Sequence, residues 1–229
     1  MVEAEELLER IKESVRFILV GTSHPGNIGA SARAMKNMVL KNMELVSPKD
    51  FPNETAFFRA KFATDILEEA NIHPDLKSTI SRAKLVIGTS ARIRKVPWPI
   101  VSPKEAAQEI INLCIKGEEN IAIIFGREDR GLTNEELGLC NLHVHIPTTE
   151  EYSSLNLSQA VQIIAYEIRL SALNHSGAFG EQEWDVPLAS TFEIERLIDH
   201  FDEVMQQVDF YQVDNPRNLL TRVRRFFKR

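Results

Sequence analysis

The amino-acid sequence predicts an α/β protein whose parallel sheet is covered by helices on both faces. Near-continuous apolar segments of strand length recur along the chain, and helix start signals lie between them. With 229 residues, 43% of them hydrophobic, the chain has room for one sizeable core and a smaller appendage. These three observations favour one α/β domain followed by a tail.

The first half of the chain opens with an acidic amphipathic segment and then alternates strands and helices. Residues 15–21 (VRFILVG) predict a buried strand, and residues 27–38 (NIGASARAMKNM) predict the helix that follows the loop TSHPG. A short strand is expected at residues 43–47, followed by helices at residues 54–60 and 75–83.

The second half repeats this alternation with clearer helix starts. Apolar strands are expected at residues 84–90, 120–126 and 141–147. Ser102, Pro103 and Glu105 have the spacing of a capping box, which predicts a helix to about Lys116, and TNEEL predicts a second, shorter capped helix. A long helix is predicted where apolar residues recur at helical spacing, at Leu157, Ala160, Val161, Ile164, Ala165 and Ile168.

Composition divides the chain into a main domain (residues 1–173), a linker (174–190) and a helical C-terminal extension (191–229). The linker carries Gly, Pro and acidic residues without periodicity, and helices are expected at residues 191–210 and 218–228. Residues 181–214 hold ten acidic residues and one basic residue, whereas residues 215–229 hold six basic residues and no acidic ones. The net charge of −6 alone disfavours nucleic-acid binding, but this segregation is typical of a chain with one anion-binding face.

Composition also narrows the cellular setting. No apolar run approaches the roughly 18 to 20 residues that cross a bilayer, and the acidic N-terminus differs from a secretory signal. We therefore expect a cytoplasmic protein that does not enter a membrane. Cys114 and Cys140 lie in apolar segments without metal-ligand spacing, which predicts buried reduced thiols.

Ligands of open α/β sheets bind beyond the carboxyl ends of the strands, and four loops at such positions are unusual here. In the first, GTSHPGNIGASARA, Gly26 and Gly29 permit close backbone approach, and Asn27 can form turn bonds at the helix start. Arg33 follows one turn later. It is either a solvated helix residue or a cation held near the functional edge.

The second loop, GTSARIRKVPWP, places Arg92, Arg94 and Lys95 beside Trp98. Basic residues next to an indole suit nucleotide contact through phosphate pairing and stacking, and a surface loop with incidental charge fits equally well.

The third loop, FGREDRGL, crowds Arg127, Glu128 and Arg130 into a turn between Gly126 and Gly131. The charge cluster is either part of a site or an exposed salt-bridge network worth little energy.

The fourth loop, TTEEYSSLN, carries more polar residues than a helix start requires. Ser153, Ser154 and Asn156 can each cap the long helix that follows, yet one cap is enough. The surplus hydroxyl, amide and backbone N–H groups predict a polar pocket at this helix N-terminus.

Other catalytic motifs are missing from the sequence. It has no Walker motif, G-x-S-x-G, HExxH or convincing CxxC, and NIGASARA lacks the glycines of a dinucleotide fingerprint. His143 and His145 point to one face of a strand, but no third ligand accompanies them, so we expect structural roles and no metal.

Taken together, NIGASARA, FGREDRGLTNEEL and IPTTEEYSSLNLSQAVQIIAYEIR resemble the three sequence motifs of the SPOUT RNA 2′-O-methyltransferases. GTSARIRKVPWP and the helical extension most resemble the TrmJ branch of that family. The resemblance is strong over about residues 16–170 and loose over the tail. It implies S-adenosylmethionine as methyl donor, a parallel sheet whose C-terminal part forms a trefoil knot, and a homodimer whose active site draws on both subunits.

The resemblance also assigns roles to residues. The cofactor positions that it implies are Thr89, Ser90, Ala91, Gly126, Ile146, Ser153, Ser154 and Leu155, with Asn156 adjoining. Arg33 matches the arginine to which the family assigns catalysis, and Asn27 and Ser154 complete the expected catalytic set. RNA is expected to contact Arg33, Arg92, Arg94, Lys95, Arg127, Arg222, Arg224 and Arg225.

The substrate that the resemblance implies is tRNA, methylated on the ribose of the pyrimidine at position 32 of the anticodon loop. The sulfonium makes a good leaving group, so the protein must mainly align the 2′-hydroxyl, and such positioning can supply roughly 7 to 11 kcal/mol. Because an arginine side chain stays protonated in proteins, we expect Arg33 to hold the target phosphate and favour the developing alkoxide.

Two stretches depart from the resemblance. Residues 59–65 (RAKFATD) stand where related proteins often show small residues and glycine, and we assign no role to them. The basic end RVRRFFKR is expected to bind tRNA. Three alternatives stay open: methyl transfer to ribosomal RNA, a non-catalytic RNA-binding module of the same fold, and an unrelated nucleotide-binding α/β enzyme.

Overall fold

The computed structural model describes residues 4–91, 99–149, 151–175, 190–210 and 219–227. The helices, named in chain order, are α1 (Ala4–Ser14), α2 (Pro25–Asn37), α3 (Glu54–Ala60), α4 (Thr64–Glu68), α5 (Leu76–Thr79), α6 (Pro103–Ile115), α7 (Asn134–Leu137), α8 (Leu157–His175), α9 (Thr191–Gln207) and α10 (Leu219–Phe227). The strands are β1 (Val15–Val20), β2 (Asn42–Val46), β3 (Asn71–His73), β4 (Leu85–Thr89), β5 (Ile100–Val101), β6 (Ile121–Phe125) and β7 (Leu142–Val144). A 3-10 turn, Lys61–Ala63, joins α3 to α4.

The strands form one seven-stranded sheet in the order β3-β2-β1-β6-β4-β7-β5, and every pairing is parallel. From β1 the chain moves to β2 and β3 on one side, whereas from β6 it moves to β7 on the other. The sheet therefore has a topological switch point between β1 and β6, where open α/β sheets bind their ligands.

Helices cover both faces of the sheet, as the sequence predicts. On β1, Phe17 and Leu19 face a large core built with α1, α2, α3, α4, α6 and α8, whereas Ile18 and Val20 face a smaller core beneath α5 and α7. Because both faces are buried, the strands are apolar along their whole length rather than alternating. The α/β fold class is confirmed, and the trefoil knot stays a prediction.

Most predicted elements lie where the sequence places them. The capping boxes at α6 and α7 are both formed, with Ser102 and Thr133 as the caps. The helix expected over residues 75–83 is shorter, because α5 ends at Thr79. The edge strands β3 and β5 and the helix α4 were not predicted, since two or three residues at a sheet edge carry no apolar run.

The amphipathic opening is helix α1, which packs its apolar face against the core through Leu7 and Ile11. Arg10 donates to the backbone oxygens of Cys114 (3.3 Å) and Ile115 (3.4 Å), so α1 supplies a cation to the carbonyl end of α6. Cys114 is a free, buried thiol, as predicted, and burial raises its pKa to about 11.

The chain divides into two compact units, residues 1–179 and 180–229. The second contains α9, which begins with a capping box formed by Ser190 and Glu193, and α10. The predicted linker lies largely outside the described residues, and the exact domain boundaries stay a prediction. Among the described residues, no helix combines the length and apolar character needed to span a membrane.

Candidate active site

A cleft lies at the carboxyl ends of β4, β6 and β7, close to the switch point of the sheet. It opens to solvent, and its wall combines apolar side chains with a small number of polar groups, as is typical of small-molecule sites. The lining residues are Thr89, Ser90, Ala91, Phe125, Gly126, Arg127, Glu128, Gly131, Val144, Ile146, Ser153, Ser154, Leu155, Leu157 and Ala160.

The structure brings together almost all of the residues that the sequence proposes for cofactor binding. Of that set, only Asn156 is absent from the lining of the cleft. Three loops distant in sequence contribute: the one after β4, the one after β6, and the serine-rich segment before α8. Their convergence follows from the parallel sheet, because the carboxyl ends of parallel strands share one edge.

The loop after β4 is held by side chains and backbone of the neighbouring strands. The Thr89 hydroxyl donates to the backbone oxygen of Ile124 (2.9 Å), and the Ser90 N–H donates to the oxygen of Val144 (3.0 Å). His145 Nδ1 lies 3.2 Å from the backbone oxygen of Ser90. With Nδ1 protonated, this histidine fixes the position of a loop that lines the cleft.

The turn after β6 requires glycine at its first position. Arg127 and Gly131 exchange backbone hydrogen bonds of 3.3 and 2.8 Å, which close the turn against the end of the strand. A Cβ atom on Gly126 would clash with the backbone of Gly131 and Leu132. Close backbone packing therefore excludes any side chain at this wall of the cleft.

Arg127 also holds the turn through its guanidinium group. Its Nη1 donates to both carboxylate oxygens of Glu136, at 3.0 and 2.9 Å, and its Nε lies against Gly21. Burial would raise the pKa of Glu136, but hydrogen bonds from Arg127 and Thr133 outweigh it and lower the pKa. These contacts give Arg127 a structural role, and its predicted contact with RNA stays a prediction.

In the serine-rich segment before α8, one residue caps the helix and the two serines line the cleft. Asn156 caps α8, because its Oδ1 accepts from the N–H (2.9 Å) and the hydroxyl (2.7 Å) of Ser158. Ser153 and Ser154 are therefore not needed as caps, and both are exposed and line the cleft. Within the described residues their hydroxyls have no hydrogen-bond partner, so they are available to a ligand.

Glu128, which the sequence places only in a charged turn, is the main residue of the site that was not among the predicted site residues. Its carboxylate accepts from the N–H and hydroxyl of Ser23 (both 3.1 Å), the N–H of His24 (3.2 Å) and Nδ2 of Asn27 (3.0 Å). Burial would raise its pKa, but the hydrogen bonds from Asn27, Ser23, His24 and its own N–H outweigh it and lower the pKa. The carboxylate is thus ionised at neutral pH and orders the start of α2 beside the cleft.

The predicted catalytic residues do not all meet within one chain. Ser154 lines the cleft, and Asn27 lies next to it, linked to Glu128. Arg33 is exposed on α2, outside the cleft lining, and forms no hydrogen bond or ion pair with any other described residue. In a single chain the guanidinium group of Arg33 is therefore not part of the cleft.

The other predicted RNA contacts are only partly described. Arg92, Arg94 and Lys95 lie outside the described residues. Arg222 is exposed on α10, which also contains Arg224 and Arg225. Their roles in binding stay predictions.

His143 and His145 have structural partners. His143 is buried, with Nε2 at 3.0 Å from the backbone oxygen of Leu137, while His145 contacts the loop after β4 as described above. Over the described ranges, no group of three or more His, Cys, Asp or Glu residues is arranged to hold a metal ion.

The fold and the cleft define an open, parallel α/β protein with a solvent-open cleft, lined in part by hydroxyl groups, at the carboxyl edge of its sheet. A family model described as the SpoU rRNA Methylase family matches residues 14–166. A second model, described as the C-terminal domain of the tRNA methyltransferase TrmJ, matches residues 192–229. The chain belongs to the SpoU methylase family.

Individual relatives agree with this assignment. The tRNA (cytidine/uridine/adenosine-2′-O-)-methyltransferase TrmJ of Pseudomonas aeruginosa is 42% identical over 225 residues, which are 95% of this chain and 87% of that protein. The crystal structure of TrmJ from Z. mobilis ZM4 is 30% identical, with a TM-score of 0.65, covering 93% of this chain and 89% of that one. The SpoU methyltransferase AviRb of Streptomyces viridochromogenes, in complex with AdoMet, shares the fold at 18% identity and a TM-score of 0.58, over 73% of this chain and 65% of its own.

Proposed function

We propose that the protein transfers a methyl group from S-adenosylmethionine to a ribose 2′-hydroxyl of tRNA. The observation that carries the proposal is the convergence of Thr89, Gly126 and Ser154 on one cleft at the switch edge of the sheet. The P. aeruginosa relative, 42% identical over nearly the whole chain, is named as a tRNA 2′-O-methyltransferase, which supports both substrate and chemistry.

The residues of the cleft fit a methyl donor with an adenosine and an amino-acid moiety. Phe125, Ile146 and Leu155 offer apolar surface for a purine ring, and Ser153 and Ser154 offer hydroxyls for polar groups. Gly126 and the loop after β4 line the same cleft. These residues would hold the cofactor, which supplies an electrophilic methyl group on a sulfonium when it is bound.

For methyl transfer, the protein must mainly align the ribose 2′-oxygen with the methyl carbon of the donor. The ribose 2′-oxygen forms a bond to the methyl carbon as the carbon–sulfur bond breaks, and the hydroxyl proton passes to solvent. The ionised Glu128 holds Asn27 at the start of α2, and Asn27 in turn contacts Asn156 beside the cofactor segment. These contacts preorganise one edge of the cleft, and such positioning can contribute several kcal/mol to the rate.

Arg33 acts from a second subunit in this proposal. It lies outside the cleft of its own chain, it is exposed, and no described acidic group neutralises it. A homodimer that brings Arg33 of one subunit to the cleft of the other would complete the site. There its planar guanidinium can bind the phosphate next to the target nucleotide and stabilise the developing alkoxide.

The preferred substrate position is the pyrimidine at position 32 of the tRNA anticodon loop. The match of residues 192–229 to the C-terminal domain of a tRNA methyltransferase supports tRNA over other RNAs. Helix α10 contains Arg222, Arg224 and Arg225, and positive charge of this kind suits phosphate binding. Because these reactions take place on cytoplasmic tRNA, we place the protein in the cytoplasm.

The test is mass spectrometry of nucleosides from bulk tRNA incubated with the protein and S-adenosylmethionine, with purified ribosomal RNA fragments treated in parallel. We expect 2′-O-methylcytidine or 2′-O-methyluridine in tRNA only, and sequencing of the modified tRNA to locate it at position 32. Modification of the ribosomal RNA fragments instead would assign the same chemistry to another substrate. No methylated product from either RNA would favour a non-catalytic RNA-binding module.

A further inference from the structure

The end of α3 and the 3-10 turn after it expose two aromatic rings that the proposed site does not use. Phe58 is 68% exposed and Phe62 is 95% exposed, although large apolar side chains of a folded domain are normally buried. Phe62 lies within residues 59–65, the stretch to which the sequence assigns no role, and Phe58 directly precedes that stretch. Two exposed rings four residues apart form a surface that a partner can cover.

The backbone of this segment presents the rings to solvent. Lys61, which ends α3, has φ 56° and ψ −115°, a conformation that residues with a Cβ atom rarely adopt. Its Nζ lies 4.0 Å from the centroid of the Phe58 ring, so the ammonium group covers one aromatic face. Phe62, the next residue, is almost fully exposed.

This surface adjoins Arg33. Helix α2 packs closely on α3, because Gly29 meets the backbone of Ala56 and Ala60. Two turns further along, Lys36 pairs with Asp65 at 2.6 Å. Arg33 lies between Gly29 and Lys36 on the same face of α2, since residues four and seven positions apart share a face. It is therefore beside the turn that carries Lys61 and Phe62.

Three positive charges near the rings lack an ionic partner among the described residues. Arg33, Arg59 and Lys61 form no ion pair with any described residue, whereas the nearby Lys36 is paired with Asp65. Arg59 reaches the start of α2, where its Cγ lies 3.8 Å from the position of a Cβ on Gly26. Three unpaired cations beside two exposed rings, on a chain of net charge −6, favour an anionic and aromatic partner.

We infer that Phe58, Arg59, Lys61 and Phe62, here named the aromatic-basic patch, bind single-stranded RNA next to the target nucleotide. Bases stack on the two rings, and Arg59 and Lys61 contact the phosphates. A second copy of the chain is the alternative occupant, and the combination of two exposed rings with unpaired cations favours RNA over it, because bases stack on rings while phosphates pair with cations. The inference rests on the proposed function, in which Arg33 reaches the same RNA.

The test measures the affinity of the protein for tRNA in the absence of methyl donor, for Phe62→Ala and for the double variant Arg59→Gln/Lys61→Gln. The control, Ile72→Ala, removes an exposed apolar side chain (53% exposed) from the edge strand β3. We expect Phe62→Ala to weaken tRNA binding by roughly fivefold or more, as for the loss of one stacked base. The double variant should also reduce the dependence of affinity on salt, and the control should bind like the wild type.

Light scattering on each variant distinguishes the other possible occupant of the patch. We expect an unchanged oligomeric mass, and a smaller mass for Phe62→Ala would show that the surface joins two copies and would overturn the inference. Wild-type tRNA affinity in both patch variants would overturn it as well. Methyl transfer is assayed separately, so a wild-type protein that binds tRNA through this patch without methylating it would refute only the proposed function.

Discussion

Asn156 Nδ2 donates a hydrogen bond of 3.0 Å to Asn27 Oδ1, across 129 positions of the sequence. Asn27 simultaneously donates from Nδ2 to Glu128, also at 3.0 Å. The starts of α2 and α8 and the turn after β6 are thereby joined through three side chains beside the cleft. Each of these residues comes from one of the three motifs that carry the family resemblance.

Glu128→Gln is expected to disturb this connection without changing the size of the side chain. Donors approach both carboxylate oxygens, and an amide can accept at only one of them. We expect methyl transfer to tRNA to fall by at least about tenfold, since a hydrogen bond to a charged group is worth roughly 1.5 to 3 kcal/mol. Gln159, whose Oε1 accepts from the Asn156 N–H at 3.2 Å, offers a milder comparison as Gln159→Ala.

The same carboxylate predicts a dependence of stability on pH. Because the folded protein lowers the pKa of Glu128, its contribution is complete above the ordinary value of 4.5 and is lost as pH falls through the lowered pKa. The difference in thermal midpoint between wild type and Glu128→Gln should therefore be constant from pH 7 to pH 5 and shrink below it. A difference that grows on acidification would contradict this assignment.

Gly126→Ala is expected to damage the cleft through sterics alone. The new methyl group would meet the backbone of Gly131 and Leu132, and overpacking of this kind costs about 1 to 3 kcal/mol. We expect lower thermal stability and at least about tenfold weaker binding of S-adenosylmethionine by calorimetry. Gly138→Ala is the control, because a Cβ at that position keeps 3.3 Å from its nearest neighbours. Equal losses in the two variants would show that the effect does not depend on the cleft.

Arg33→Lys tests whether the reaction needs the planar guanidinium rather than a positive charge. Arg33 is exposed and makes no contact with other described side chains through hydrogen bonds or ion pairs, so the substitution should leave the thermal midpoint unchanged. We expect kcat to fall by about tenfold or more, because lysine cannot bind a phosphate through two parallel hydrogen bonds. Near-normal turnover would count against this role.

Removal of residues 222–229 tests the basic end of the second unit. The deletion takes away Arg222, Arg224 and Arg225 together with the last basic residues of the chain. We expect weaker tRNA binding and a smaller change of affinity with salt, while the affinity for S-adenosylmethionine stays the same. An unchanged affinity and salt slope would place the tRNA contact elsewhere.

The sequence predicts the strands and helices that surround the cleft because burial determines their composition. Near-continuous apolar strands and two capping boxes locate β1, β4, β6, α6 and α7 to within one or two residues. The order of the sheet, with β6 inserted between β1 and β4, depends on contacts between distant segments and leaves no local pattern. The edge strands β3 and β5 escape prediction for the same reason.

The candidate site was predictable where a segment carries more polar residues than helix capping requires. The extra hydroxyls of Ser153 and Ser154 were such a surplus, and both line the cleft. Glu128 was not predictable in this way, since its partners Ser23 and His24 lie more than a hundred positions away. A carboxylate in a charged turn is usually solvated, and only the folded chain shows four donors around it.

The most direct test of the central claim is calorimetric titration of S-adenosylmethionine into the wild-type protein and into Ala160→Trp. Ala160 lines the cleft from α8, and an indole at this position would fill it. We predict saturable binding of one molecule per chain to the wild type and no binding to the variant, with circular dichroism showing that both are folded. Absence of binding to the wild type, or equal binding to the two proteins, would contradict the assignment of this cleft to the methyl donor.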